Sequence, residues 1–246
     1  MVLARHPRWP RKPPMGCLRP SIPAQECQTN LAGFGGNGTM EAPPIAPFMS
    51  TLWPYATPGI PDALFEQLPG IPLSSREVRL LLLGYLRLRP TDVLWDIGAG
   101  TGTLAIEAAL MCKQGQVVAV ERDEDVADLI RRNCQRFELT NVTVVQGSAP
   151  DILEYLSPHP NCIFVEGGRS LKTLLQATWG YLPSGGRLVV TVGNLEGLYS
   201  VSETFAQLQV RNIEAAQPAV NHLEVKGNHQ VFTAVDPIFI LSGEKV

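Results

Sequence analysis

The sequence has few cysteines, no long apolar run and no excess of basic charge, and each absence excludes a class of protein. The five cysteines are odd in number and form no Cys-x-x-Cys pair, which argues against a disulfide framework and a zinc site. No stretch approaches the roughly 18 consecutive apolar residues that cross a bilayer, and the N-terminal residues lack the apolar region of a signal peptide. The formal net charge of -3 gives no overall electrostatic footprint for nucleic acid. The sequence therefore predicts a soluble, cytoplasmic protein that binds no metal, membrane or nucleic acid.

Hydrophobic periodicity is also missing from residues 1–57, where proline, glycine and small polar residues dominate and the charges are mostly basic. Such a segment buries too little surface to offset its ordering entropy, so we expect a disordered extension. A basic arm for an acidic partner and an upstream start codon, with Met40 or Met49 as the true start, are the alternatives. Residues 58–246 form the single predicted domain.

Strand and helix patterns alternate through most of this domain. Five apolar strands are each followed by a helical pattern, and they begin near Val93, Gln116, Asn141, Cys162 and Arg187. The alternation predicts an α/β fold, a doubly wound and mostly parallel sheet with helices on both faces. Two longer β stretches, Arg211–Val225 and Val231–Leu241, then predict an antiparallel hairpin.

A helix is expected to precede the first strand. Ser74 is followed three residues later by Glu77, which is the pattern of a capping box, and Pro90 marks the end of the helix. The apolar residues that share one predicted face of this helix are Val78, Leu81, Leu82, Tyr85 and Leu86.

The stretch from Val93 to Gly102, VLWDIGAGTG, predicts a strand, a tight turn and the start of a helix. Gly98, Gly100 and Gly102 allow the backbone to turn sharply and a ligand to approach it closely. In an open parallel sheet, such a turn lies beyond the carboxyl ends of the strands, where ligands bind. The turn is therefore the predicted ligand site.

Two ligands suit a turn of this kind, a dinucleotide and S-adenosylmethionine. The dinucleotide fingerprint has a further glycine where this sequence has Thr103. Asp96 lies just before the turn, and its charge would repel a phosphate but attract the ammonium and sulfonium groups of S-adenosylmethionine. Glu121, which ends the second strand, is placed to accept hydrogen bonds from both ribose hydroxyls. Together these residues favour S-adenosylmethionine.

The motifs from Val93 to Val192, with the closing hairpin, resemble those of class I methyltransferases. The resemblance implies a seven-stranded Rossmann-like sheet, mostly parallel with an antiparallel last strand. It also implies that the residues that bind the cofactor include Asp96, Gly98, Ala99, Gly100, Thr101, Gly102, Glu121, Ser148 and Ala149. Ser148 departs from the class pattern, in which many members have an acid that binds the adenine amino group.

A narrower resemblance is to the decarboxylating precorrin methyltransferases of cobalamin biosynthesis. It is carried by the segments GIPDALF (59–65), SSREVR (74–79), LWDIGAGTGTLAIEAA (94–109), GSAPDIL (147–153) and VEGG (165–168). GIPD and S-x-x-E-V-R discriminate better than the glycine turn, because every methyltransferase of the class shares that turn.

This resemblance implies that the protein methylates carbon 15 of a (cobalt-)precorrin, a corrin-precursor macrocycle, and removes carbon dioxide from the acetate side chain of ring C. It also implies a homo-oligomer, specifically a tetramer, and a separate carbon-5 methyltransferase in the pathway. Ser74 would lie over the cofactor, and Glu166 is the candidate catalytic acid. The macrocycle carries many carboxylates, so residues that could bind its rim are Arg76, Arg79, Gly167, Gly168, Arg169 and Lys226.

Two alternatives stay open at this stage, an RNA or protein methyltransferase of the same class and a non-catalytic scaffold that binds S-adenosylmethionine. Val165-Glu166-Gly167-Gly168 lacks the Asn or Asp, two prolines and aromatic residue that enzymes methylating base amino groups usually carry at this point. The intact turn, with Asp96 and all three glycines, favours catalysis.

Overall fold

The computed structural model describes residues 52–71, 73–168, 170–235 and 237–246. Two short 3-10 helices, Asp62–Leu64 and Leu153–Tyr155, accompany the regular elements. The helices and strands, in chain order, are α1 (Arg76–Leu86), β1 (Val93–Ile97), α2 (Thr103–Met111), β2 (Gln116–Glu121), α3 (Glu124–Arg136), β3 (Val142–Gln146), β4 (Cys162–Glu166), α4 (Leu171–Tyr181), β5 (Arg187–Val192), α5 (Leu195–Gln207), β6 (Arg211–Ala216), β7 (Asn221–Lys226), β8 (His229–Ala234) and β9 (Phe239–Glu244).

Seven strands form one sheet in the order β3-β2-β1-β4-β5-β9-β6. The strands from β3 to β5 are parallel, whereas β9 is antiparallel to both of its neighbours, β5 and β6. The predicted seven-stranded, mostly parallel sheet with an antiparallel last strand is therefore confirmed. The chain order reverses between β1 and β4, so a ligand is expected beyond the carboxyl ends of these two strands.

The core lies on both faces of this sheet, because successive side chains of a strand point to opposite faces. Leu94 packs among the apolar side chains of α1, α2 and α3, whereas the next residue, Trp95, packs among those of α4 and α5. Burial on two faces explains why the central strands read as continuous apolar runs. None of the helices in the described ranges is both long and apolar enough to cross a membrane.

The predicted terminal hairpin of two long strands is wrong in its detail. Each long stretch is divided in two, and Pro218 and Pro237 lie in the two breaks. A proline has no N–H to donate to the ladder, so neither stretch continues as one strand. The inner parts, β7 and β8, pair in a separate two-stranded sheet, while the outer parts, β6 and β9, complete the main sheet.

The predicted cap of α1 is also wrong. The helix begins at Arg76, and Ser75 rather than Ser74 is its N-cap residue, without a side-chain cap hydrogen bond. The buried face of α1 also differs, since Leu81 is 38% exposed and Arg79 is fully buried. The predicted Asp cap of α3 is confirmed, because the Asp123 carboxylate accepts hydrogen bonds from two N–H groups of the first turn.

Candidate active site

The glycine turn connects β1 to α2 and has a backbone that other residues adopt only with strain. Gly98, Gly100 and Gly102 have φ angles of 82°, 53° and 76°, all in the left-handed region. Gly102 is also crowded, because a Cβ at this position would lie 2.7 Å from Cγ2 of Ile130 on α3. Hydrogen bonds from the Gly98 and Ala99 N–H groups to the Val120 carbonyl, both 3.0 Å long, fix the turn against β2.

Asp96 is a buried acid without a normal hydrogen bond. Its side chain is 1% exposed, and neither carboxylate oxygen has a hydrogen-bond partner among the described residues. Burial, together with the nearby carboxylates of Glu166 and Glu121, raises the pKa of Asp96 to about 8, while the Ala105 N–H acts weakly in the opposite direction. A cationic group would satisfy this carboxylate, and a phosphate would not.

Asp96 opens into a small cavity, here named the Asp96 pocket. The residues that line it are Ser74, Asp96, Gly98, Ala99, Gly100, Thr101, Thr103, Leu104, Phe164 and Glu166. Six of the ten residues predicted to bind the cofactor are in this lining, and they come from the glycine turn and from the segment before α1. The glycine turn and the segment before α1 therefore meet at one cavity.

Glu121 lies at the other side of the turn. Its Oε2 accepts a hydrogen bond from the Gly100 N–H at 3.1 Å, and its Oε1 accepts bonds from the Arg122 and Asp123 N–H groups at 2.9 and 3.1 Å. The three donors hold the carboxylate in a fixed orientation beside the turn. Such an orientation suits an acceptor for a pair of ribose hydroxyls.

Ser148 and Ala149 follow β3 and do not line the Asp96 pocket. They stand next to Glu121, because Gln146 of β3 pairs with Glu121 of β2 and the Gly147 N–H donates to the Glu121 carbonyl at 2.8 Å. The Ser148 side chain is exposed. Ser148 and Ala149 therefore lie beside Glu121, outside the Asp96 pocket.

Glu166 ends β4 and borders the Asp96 pocket. A Cβ built on Gly98 would lie 3.7 Å from the Glu166 Cβ, so the two residues face each other. The side chain stays exposed, yet the surrounding protein and the Glu121 carboxylate raise its pKa. Gly167 follows and is pressed against β5, since a Cβ there would lie 2.6 Å from the Thr191 carbonyl oxygen. Gly168 has open space around it.

The predicted cationic residues fall in different environments. Arg76 is exposed and pairs with Glu77 at 3.1 Å, and Lys226 is exposed on β7 and pairs with Glu224 at 3.4 Å. Arg79 is fully buried and is bound by Asp62 and Glu107. Its predicted place at the rim is therefore wrong, because the guanidinium has no surface left for a substrate. Arg169 lies outside the described residues.

Three lining residues of the Asp96 pocket were missed, Thr103, Leu104 and Phe164. Phe164 had a usable signal, because it lies two residues before Glu166 and strand residues two apart share a face. In the sheet, Phe164 is the register partner of Asp96. Thr103 and Leu104 directly follow the turn, so the first turn of α2 belongs to the site as well.

Within the described ranges, no group of three or more His, Cys, Asp or Glu side chains is arranged to hold a metal ion. A second cavity, of about 330 Å³, lies between the segment around Trp53 and the C-terminal end of α2. It includes Pro90 and Lys113, at the amino ends of the parallel strands, and none of the predicted site residues. No residue of the glycine turn lines this second cavity.

A family model described as a precorrin methyltransferase domain matches residues 67–245, well over half of the chain. This chain belongs to the precorrin methyltransferase family. The narrower resemblance predicted from the sequence is thereby confirmed. In this chain, the Asp96 pocket lies at the glycine turn, which is the predicted ligand site.

Named relatives agree with this placement. A protein from Pyrobaculum calidifontis, named "Probable cobalt-precorrin-6B C(15)-methyltransferase (decarboxylating)", is 38% identical over 192 residues, which are 77% of this chain and 97% of the relative. The cobalt-precorrin-6B C(15)-methyltransferase (decarboxylating) of Salmonella typhimurium is 32% identical over 185 residues, 75% of this chain and 95% of the relative.

A solved structure gives the same result. The precorrin-6y C5,15-methyltransferase of Geobacter metallireducens superimposes with a TM-score of 0.71 at 31% identity, over 78% of this chain and 100% of that one. A SAM-dependent O-methyltransferase from Thermotoga maritima, at 18% identity and a TM-score of 0.60 over 71% of this chain and 67% of that one, shares the fold alone. The fold is thus that of class I methyltransferases.

Proposed function

We propose that this protein transfers a methyl group from S-adenosylmethionine to carbon 15 of a (cobalt-)precorrin and releases carbon dioxide from the ring C acetate, in cobalamin biosynthesis. The observation that carries the proposal is the buried, unpartnered Asp96 carboxylate beside a glycine turn, in a chain of the precorrin methyltransferase family. The names of the relatives support the substrate and the reaction.

The residues present fit the cofactor. Asp96 would bind the methionine ammonium, because this cation would give the buried carboxylate the hydrogen-bond donor and the opposite charge that no described residue provides. Glu121 would accept from the ribose hydroxyls, the N–H groups of the turn would lie along the ligand, and Ser148 with the Ala149 N–H would face the adenine. S-adenosylmethionine supplies an already activated methyl group, so the protein mainly has to position the acceptor carbon and exclude water.

The substrate would bind at the open side of the Asp96 pocket, near the ends of β4 and β5. Arg76, Arg169 and Lys226 are the proposed cations for its carboxylates, and Gly168 leaves room for a flat ring beside the backbone. Burial and the nearby Glu121 carboxylate raise the pKa of Glu166. In its protonated form, Glu166 would not repel an anionic substrate and could donate a proton. We give Arg79 a structural role instead.

We further propose a cytoplasmic homo-oligomer that works with a separate carbon-5 methyltransferase. The hairpin of β7 and β8 supports self-association, because it exposes three large apolar side chains, Leu223, Val225 and Phe232, at 55%, 72% and 74%. Family resemblance suggests four copies.

Cofactor binding is the first experimental test. We expect Glu121→Ala and Gly100→Val each to weaken S-adenosylmethionine binding at least tenfold, about 1.4 kcal/mol, in calorimetric titrations. Gly100→Val places a branched side chain at a φ of 53°. The matched control is Glu154→Ala, which removes an exposed acid outside the site and should bind like the unmodified protein. Unchanged affinity in both site variants would disprove the assignment of the turn.

Turnover is the second test. The protein is incubated with a pool of cobalt-precorrins and methyl-labelled S-adenosylmethionine, and mass spectrometry follows both the methyl gained and the carbon dioxide lost. We expect both changes in one corrinoid product. Label in RNA without any corrinoid turnover would support the alternative class of methyltransferase, and binding without any transfer would support a scaffold.

A further inference from the structure

Arg79 is a fully buried arginine whose guanidinium is bound on every side. Its Nε donates to Glu107 Oε1 at 2.7 Å, and one terminal nitrogen, Nη1, donates to Asp62 Oδ1 at 2.7 Å and to the Ser74 carbonyl. The other, Nη2, donates to the Ile60 carbonyl at 2.5 Å. The Arg79 Cζ atom also lies over the ring of Phe65, 5.0 Å from the ring centre.

These contacts connect three separate parts of the chain. Glu107 belongs to α2, the helix that follows the glycine turn, and its second oxygen accepts from the Gly59 N–H at 2.5 Å. Asp62 and Ile60 belong to the GIPD segment, and Ser74 precedes α1. Arg79 and Glu107 therefore tie the GIPD segment and the Ser74 segment to the helix whose first turn borders the Asp96 pocket.

Ser74 gives this network a functional meaning. It lies outside helix α1 and outside the sheet, so no ladder of backbone hydrogen bonds holds it. It nevertheless lines the Asp96 pocket, and its carbonyl is held by the same nitrogen, Nη1, that binds Asp62. A planar guanidinium can satisfy this set of acceptors at once, which the ammonium of lysine cannot do.

We infer that Arg79 is a positioning residue for cofactor binding, which acts by holding Ser74 at the edge of the Asp96 pocket. The inference rests on the proposed cofactor site. It assigns a function to S-x-x-E-V-R beyond helix formation, because the first and last residues of this segment bind each other across the start of α1. It also explains why GIPD accompanies that segment, since Ile60 and Asp62 supply two of the acceptors of Arg79.

A double-mutant cycle on the full chain tests the inference, with S-adenosylmethionine as the titrant. We expect Ser74→Ala to weaken binding at least threefold and Arg79→Lys at least fivefold. If Arg79 acts through Ser74, the double variant should bind within twofold of Arg79→Lys alone, because the contact is already lost. A loss of packing elsewhere would instead make the two effects multiply.

Arg187→Lys is the matched control. Arg187 is also a buried arginine, bound by two glutamates and by the Tyr85 carbonyl, but it begins β5, at the end of the strand away from the site. We expect both Arg187→Lys and Arg79→Lys to lower the melting temperature. Arg187→Lys alone should leave the affinity for S-adenosylmethionine within twofold of that of the unmodified protein.

Asp62→Asn is the milder variant if Arg79→Lys does not fold, because the Asp62 side chain is 35% exposed and binds the same Nη1. It should weaken binding at least twofold in the native background and not at all in the Ser74→Ala background. Multiplying effects, or no effect of Ser74→Ala, would overturn the positioning role while leaving the cofactor assignment intact. Absence of binding by the unmodified protein would instead refute the proposed function itself.

Discussion

At the scale of single residues, the protonation state of Asp96 links the fold to the proposed ligand. The side chain is buried beside two other carboxylates, Glu121 and Glu166, and no donor satisfies it. In the ligand-free protein, a pKa of about 8 means that Asp96 is mostly protonated at pH 7. A bound cation would favour the ionised form, so the proton should leave on binding.

This proton can be counted. We expect S-adenosylmethionine binding at pH 7 to release close to one proton, so that the binding enthalpies in phosphate and Tris differ by about the difference between the ionisation enthalpies of these buffers. Glu154→Ala, which leaves the site unchanged, should release the same number. Equal enthalpies in the two buffers would contradict a protonated Asp96 in the ligand-free state.

The sequence predicted which residues lie near the glycine turn better than it predicted whether each of them is buried or exposed. Asp96, Gly98 and Gly100 follow from the motif and its place at the end of a strand. The burial of Arg79 could not be predicted, because an arginine on a helix next to a ligand site resembles a surface cation until its partners are known. Those partners, Asp62 and Glu107, lie 17 and 28 residues away along the chain.

At the scale of elements, the glycine turn also fixes the contact between α2 and α3. Gly102 precedes α2 with a φ of 76°, and Ile130 of α3 packs against the place where a side chain would begin. The turn therefore cannot shift without moving α3. We expect cofactor binding and helix packing to depend on the same residue.

Gly102→Ala should therefore destabilise the protein by about 1–3 kcal/mol, because it combines a left-handed backbone with a methyl group 2.7 Å from Ile130 Cγ2. Gly84→Ala is the matched control. Gly84 lies inside α1 with nothing within 4 Å of the new methyl group, so alanine there should stabilise by about 0.5–1 kcal/mol. Urea unfolding measures both changes. Equal effects would mean that neither the left-handed backbone at Gly102 nor the contact with Ile130 costs stability.

Most helices and strands were predictable to within a few residues, because their apolar periods are long and regular. The start of α1 was not, since Ser74 and Ser75 both suit a cap. In the structure, the Arg79 N–H donates to the Ser75 carbonyl, whereas the Arg79 guanidinium binds the Ser74 carbonyl. The division of the C-terminal strands depended on Pro218 and Pro237, which break runs that otherwise read as continuous. The first error comes from a local signal that tertiary contacts override, whereas the second comes from two prolines whose effect on the strands was not predicted.

At the scale of the whole molecule, the hairpin of β7 and β8 stands apart from the main sheet. It touches the start of α1 through a contact of 3.2 Å between His222 Nε2 and Glu77 Oε2. Its apolar side chains face solvent in the single chain. In the proposed oligomer, these side chains would be covered.

Phe232→Asp should therefore lower the mass of the particle in sedimentation velocity, because it places a charge where an apolar contact is proposed. Tyr155→Asp is the matched control, since Tyr155 is 73% exposed and Phe232 is 74% exposed. The control should sediment like the unmodified protein. A unit of 26.8 kDa before any substitution would refute the oligomer.

The domain boundary stays a prediction. The family match begins at residue 67 and the described chain at residue 52, so the predicted disordered extension, residues 1–57, lies almost wholly outside the described residues. The prediction of disorder rests on the proline-rich, glycine-rich and polar composition of these residues. The seven-stranded domain that follows is the part for which sequence and structure agree.

The place of β9 has a consequence for the making of the protein. β9 follows every other strand along the chain, yet it lies between β5 and β6, and β6 pairs with β9 alone in the sheet. During synthesis, β5 therefore has an open edge and β6 has no sheet partner until residues 239–244 have left the ribosome. A chain stopped before Phe239 would contain the whole glycine turn and still present an unpaired strand edge to other chains.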